Sequence, residues 1–159
     1  CLHAAGVAGQ ALTIAGSIVT HPLSHPLSAR LGAHHGAAVA ALEQVVILKL
    51  ADRWNGRAGM VARWLGARVA VSASADAQAR ALAQRLARFN RTHGVTTGLA
   101  QMGMVDGMSE AMAIDVLESG SRGLTNTPGR PLTDVDLASI YRAALKSRPV
   151  SVPDTAPLL

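Results

Sequence analysis

Apolar positions recur along this chain mostly with the step of a helix. From Leu2 to Val19 the sequence is built largely on Ala and Gly, with polar interruptions such as Gln10, Thr13 and Ser17, and residues 1–29 contain no Asp, Glu, Lys or Arg. A stretch of that length raises the possibility of a membrane span. It lacks the Trp, Tyr and basic anchors that flank such spans, and a helix apolar all round also suits the interior of a large protein. The expectation is a buried helix of a soluble protein, with no membrane. Because it has no charged face, the surface around the paired histidines that follow is also expected to be apolar and exposed when the chain is alone, a partner domain being its cover. There follows a four-residue unit written twice, His21-Pro-Leu-Ser and His25-Pro-Leu-Ser. Each proline disfavours helix in the residue before it, so the pattern predicts a break between helices here. A second apolar helix is predicted from about Gly36 to Ala51, with Val39, Leu42, Val46 and Leu50 on one side, and Asn55-Gly56 ends it in a turn.

Met60, Val61, Trp64 and Leu65 predict a short third helix stopped at Gly66. Ser74-Ala-Asp76 has the form of a helix start, followed by an apolar stripe of Ala79, Leu82, Leu86 and Phe89 opposite Arg80, Gln84, Arg88 and Arg91. His93-Gly94 closes that helix. A shorter one is predicted from Met108 to Leu117, ending near Gly120, and Ser121–Leu132 carries no periodic pattern. Thr133 caps a last helix, with Asp134 and Asp136 favourably placed in its first turn and Leu137, Ile140, Tyr141 and Leu145 inward. No segment alternates with period two. The reading is one all-α, bundle-like domain over residues 1–148, with a loose tail over 149–159.

Composition narrows this. A length of 159 residues suits one domain. Aromatic residues make up only 3%, so Ala, Val, Leu and Gly must fill the core, and 16% charged residues argue against disorder. The lone cysteine, Cys1, excludes an internal disulfide framework and fits a reducing, cytoplasmic setting. The net charge is +5, with Lys49 and Lys146 the only lysines among 15 basic residues. An arginine-bearing helix face could touch a phosphate backbone, though a solvated face is the commoner cause of such spacing. The chain opens on Cys with no basic segment, which does not fit a signal peptide; a fragment of a longer protein is the expectation.

The chemistry concentrates in one place. Four of the six histidines, His21, His25, His34 and His35, lie within fifteen residues of one another. Imidazole is the commonest metal ligand, and two or three at a helix break could face one ion. Capping or loop histidines bonded to the backbone would account for the same residues. No carboxylate lies within the cluster, Glu43 being the nearest along the chain, whereas a buried divalent site takes three or four ligands and commonly includes one. Any metal site here is therefore incomplete or is finished from elsewhere. Met102, Met104, Met108 and Met112 read as core filler.

The order of these pieces resembles the C-terminal helical domain of the iron-containing alcohol dehydrogenases. That family shows an Ala/Gly-rich helix, then His-x-x-x-His-Pro-Leu-Gly, and then His-Gly opening the next helix. The matching residues are Ala15–His21, His25-Pro-Leu-Ser28 and His35-Gly36. His93–Leu99 and Thr125–Thr133 resemble two later family turns, so that the resemblance spans roughly residues 4–147. Pro22, Ser28 and His34 depart from the usual pattern, and Pro22 is expected to displace His21.

The resemblance implies a divalent iron, or another divalent metal such as zinc, between this domain and an N-terminal dinucleotide-binding domain. His21 and His35 would be two of its ligands, and His25 a catalytic proton relay beside the nicotinamide. An Asp and a further His would come from upstream of Cys1, together with the NAD or NADP site. The implied reaction is reversible hydride transfer between NAD(P) and a small alcohol or aldehyde, with the isolated chain inactive. The implied protein is cytoplasmic, binds no nucleic acid, and could form a homo-oligomer. A non-catalytic helical scaffold and a basic nucleic-acid-binding module are the alternatives.

Overall fold

The computed structural model describes residues 1–95 and 98–147, and among these there are helices and turns but no strand. The elements run α1 (Leu2–Ala15), α2 (Thr20–Leu31), α3 (His35–Lys49), a 3-10 turn at Ala51–Trp54, α4 (Arg57–Trp64) and α5 (Ala75–Thr92). A second 3-10 turn at Asp106–Met108 leads into α6 (Ser109–Glu118), a single turn α7 (Arg122–Thr125) and α8 (Asp134–Lys146). The all-α expectation holds. The expected tail, 149–159, lies outside the described residues.

The main core gathers Val19, Leu23 and Leu27 from the α2 segment, Leu42 and Val46 from α3, Met112 and Val116 from α6, and Leu137, Ile140 and Tyr141 from α8. A second cluster joins α3 to α4 and α5 through Ile47, Ala58, Ala62, Ala79, Leu82 and Ala83. Most of these side chains are alanines, so the backbones approach closely. A Cβ at Gly59 would collide with the Gln78 side chain. Gln78 in turn donates to the carbonyls of Val71 and Ala73, which anchors the start of α5 to the loop before it. Met104 and Met112 are buried and Met102 and Met108 pack against the same core, as filler should.

The helix signals that rest on caps are realised. Ser74 Oγ accepts from the Ala77 N–H, and Thr133 with Asp136 forms a complete capping box at the start of α8. Asn55 (φ 46°) and Gly56 (φ 76°) make the turn that precedes α4.

Three expectations need correction. The His-Pro repeat is not a break but lies inside α2. Pro22 is the third residue of that helix, where its missing N–H has no intrahelical partner to lose. Pro26 lies in the interior and forfeits a bond to the Pro22 carbonyl, a loss of roughly 3 kcal/mol with its ring clash. Leu23, Pro26 and Leu27 are buried in the core, and their burial offsets that cost. The actual break lies one turn earlier, at Gly16 (φ 73°), where α1 and α2 meet at a bend of 107°. The second concerns α1, which is not buried within this chain but has the bare apolar face expected of the chain alone: it has no buried residue, and Leu2 is 91% and Ile14 88% exposed. The described remainder of the chain buries no residue of this charge-free helix. Among the described residues no single helix is long and apolar enough to cross a membrane. Third, the apolar stripe of α5 turns by one position. Ala79 and Leu82 are buried, but Phe89 is 52% exposed and lies against the ring of His93, while Asn90 is buried instead. Trp64 in α4 is likewise exposed, because Ala58, Gly59 and Ala62 supply that helix's buried side.

Candidate metal centre

The helical course of the repeat is what assembles the site. His21 and His25 stand one turn apart on α2, so they project from the same face. Leu31 ends α2, Gly32 takes the left-handed conformation (φ 65°) and accommodates the reversal, and His35 opens α3. The three rings come together. His21 lies with its centroid 4.8 Å from both His25 and His35, and His25 lies 5.8 Å from His35. Pro22 therefore does not carry His21 away from His35. His34 takes a different place, at the exposed N-cap position of α3 with its ring over Gly36.

The trio opens to the surface: His25 and His35 are exposed and His21 half-buried. Burial first, and then the neighbouring His25 and His35 rings, hold His21 below the usual imidazole range. A lowered value keeps this ring neutral, the form that coordinates a metal. Glu43, two turns further along α3, is pushed upward by burial.

Ser24 was not among the residues singled out by the sequence. It is fully buried between the two outer histidines on α2, donating its hydroxyl to the His21 carbonyl (2.6 Å) and lying 3.1 Å from His35 Nδ1. The start of α2 is held from the far end of the chain. Thr127 Oγ1 accepts from the Val19 N–H (2.8 Å), and Asn126 Nδ2 donates to the Ser17 carbonyl (3.1 Å). Gly123 allows α7 to come against Pro22, since a Cβ there would lie 2.7 Å from Pro22 Cδ. Thus the aperiodic loop after α6 positions His21. Its Asn-Thr-Pro-Gly composition signalled a turn, not this role.

As a donor set, borderline-soft imidazoles suit divalent iron or zinc. The set is partial: among the described residues no group of three or more His, Cys, Asp or Glu is arranged to hold an ion by itself. The arginines of α5 make no comparable constellation. Arg80 pairs with Asp76 one turn back, and the face is solvated.

The family model described as "Fe-containing alcohol dehydrogenase family, C-terminal" matches residues 1–145. The chain belongs to this family. The fold agrees. This helical fold recurs in a point mutant of ADH/D1, an archaeal halo-thermophilic alcohol dehydrogenase from a Red Sea brine pool (TM-score 0.70, 20% identity). It recurs too in the same enzyme bound to NZQ (TM-score 0.68, 19% identity). In both cases 82% of this chain is covered but only 33% of the other, so the chain spans about a third of the length of those enzymes. No curated protein matches it.

Proposed function

We propose that the chain is the metal-site domain of an iron-dependent, NAD(P)-linked alcohol dehydrogenase acting on a small alcohol or aldehyde. An N-terminal dinucleotide-binding domain would complete it and supply the remaining metal ligands. The observation that carries this reading is the convergence of His21, His25 and His35 on one surface opening, in a chain whose family is established over residues 1–145. His21 and His35 would hold the ion, whose chemistry is Lewis-acid polarisation of the substrate oxygen, with hydride chemistry belonging to the nicotinamide. A scaffold that had abandoned the metal would have no need to keep three imidazoles in contact.

The division of labour follows from position. His21, half-buried and held neutral by its surroundings, is suited to donate a lone pair. His25 is exposed and edge-on to His21, free to take up or return the hydroxyl proton through a ring nitrogen. The bare apolar surface of α1 is suited to lie under another domain and exclude water from the opening. The protein so formed is cytoplasmic, binds neither nucleic acid nor membrane, and could assemble as a homo-oligomer.

The test is an NAD(P)H-linked assay with short aldehydes and added Fe²⁺, on residues 1–159 alone and on a natural protein that carries them after a dinucleotide-binding domain. Turnover only in the latter is expected. Turnover by residues 1–159 alone, or none in the two-domain protein, contradicts the proposal.

A further inference from the structure

We infer that Ser24 is a positioning residue that fixes the tautomer of His35, so that its Nδ1 carries the proton and its Nε2 presents the free lone pair. The inference rests on the reading of His35 as a metal ligand only for its purpose, not for its geometry.

A serine hydroxyl has one proton and two lone pairs. Ser24 Oγ lies 2.6 Å from the His21 carbonyl oxygen, which has no proton to give, so the hydroxyl proton is committed there. The second contact of the same oxygen is His35 Nδ1 at 3.1 Å. With its proton spent, Oγ can only accept, and the group across that contact must be an N–H. In a neutral imidazole one nitrogen is a donor and the other an acceptor. Placing the proton on Nδ1 leaves Nε2 bare. Ser24 is fully buried, so no bulk water competes for either contact.

The bond also ties two candidate ligands together. One end of the relay is the backbone of His21, in the first turn of α2, and the other is the ring of His35, the first residue of α3. Rotation of the His35 ring would break its bond to Oγ. The orienting partner of a metal-bound histidine is usually a carboxylate, carbonyl or water, and in this chain a buried hydroxyl takes that place.

The test is long-range ¹H–¹⁵N NMR of the whole 159-residue chain at alkaline pH, where the imidazoles are neutral, on wild type, Ser24→Ala and Ser24→Thr. Wild-type His35 should show a pyrrole-type Nδ1 and a pyridine-type Nε2. Ser24→Ala should give a mixture of the two tautomers with the fold retained, and Ser24→Thr, which keeps the hydroxyl, should stay closer to wild type. A pyridine-type Nδ1 in the wild type overturns the inference without recourse to any variant, and so does an unchanged His35 signature in Ser24→Ala. Zinc titration of the same samples separates this from the function proposed above. Ser24→Ala should weaken zinc binding about tenfold or more. If the wild type takes up no zinc while its tautomer depends on Ser24, the positioning role stands and the metal reading falls. If zinc binds and Ser24→Ala leaves both tautomer and affinity alone, the metal reading stands and the role of Ser24 falls.

Discussion

The phenol of Tyr141 on α8 donates to the backbone carbonyl of Leu23, 2.5 Å away in the middle of α2. Leu23 lies between the two α2 histidines, so this bond ties the site-bearing helix to the last helix of the chain. Tyr141 is fully buried, and burial, aided by the Asp115 charge, raises its phenol far above the usual range, so it remains a donor at any working pH. The Leu23 carbonyl keeps its intrahelical partner when the phenol is lost, which bounds the cost. Tyr141→Phe should therefore destabilise by about 0.5–1.5 kcal/mol, read as a lower urea midpoint with an unchanged m-value.

Gly123 should tolerate no side chain. An added Cβ would meet Pro22 Cδ at 2.7 Å and the Ile18 carbonyl oxygen at 3.0 Å, and the latter, being backbone, cannot turn aside. Gly123→Ala should cost about 1–3 kcal/mol, as overpacking does, and should move the NMR signals of His21 more than those of His93, which caps the far end of α5. Equal perturbation of both rings would contradict a local effect on Pro22.

The capping box of α8 should give the protein an acid-sensitive component. The Arg130 guanidinium, and then the Thr133 backbone N–H, hold the Asp136 carboxyl well below the usual carboxylate range. A depressed folded-state value means that the stabilisation is complete above the ordinary carboxylate pKa and is lost as the pH falls through the folded value. Asp136→Asn should cost about 1 kcal/mol at pH 7, the scale of a cap with an exposed ion pair. The gap to wild type should close in strong acid, as a series of urea melts against pH would show.

The exposed α1 should make residues 1–159 adhesive. Contiguous bare apolar surface promotes association, and Leu2, Val7, Leu12 and Ile14 are all exposed on a helix with no charged residue. Dye binding and concentration-dependent sedimentation should exceed those of an ordinary domain of this size. Replacing Leu2 and Ile14 by Ser should reduce both without lowering the thermal midpoint, since neither side chain packs on the core.

What could be read from the residues alone divides along physical lines. The starts of α5 and α8 were legible because Ser74 and Thr133 satisfy backbone donors within three residues, a purely local matter. The His-Pro repeat misled because proline's effect depends on its distance from the helix start and on what its turn buries, and Gly16 sets that start from outside the repeat. The exposure of α1 was legible only in part: the absence of any charged face pointed to a cover outside the chain, but an all-apolar helix looks the same in sequence when its cover lies inside. The histidine site was legible as a cluster, and the family pattern singled out His21, His25 and His35 over His34. Its supports were not. Ser24 meets His35 only after the chain reverses at Gly32, and Thr127 meets Val19 across 108 residues.

The assignment of His21 and His35 as ligands, with His25 beside them, is tested most directly by calorimetric titration of the 159-residue chain and three alanine variants with Fe²⁺ under anaerobic conditions and with Zn²⁺. Two ligands without an accompanying carboxylate should give weak binding. His35→Ala should abolish it, His21→Ala should weaken it, and His25→Ala should leave it nearly intact. Tight binding by the wild type, or loss of binding in His25→Ala equal to that in His35→Ala, would contradict the assignment.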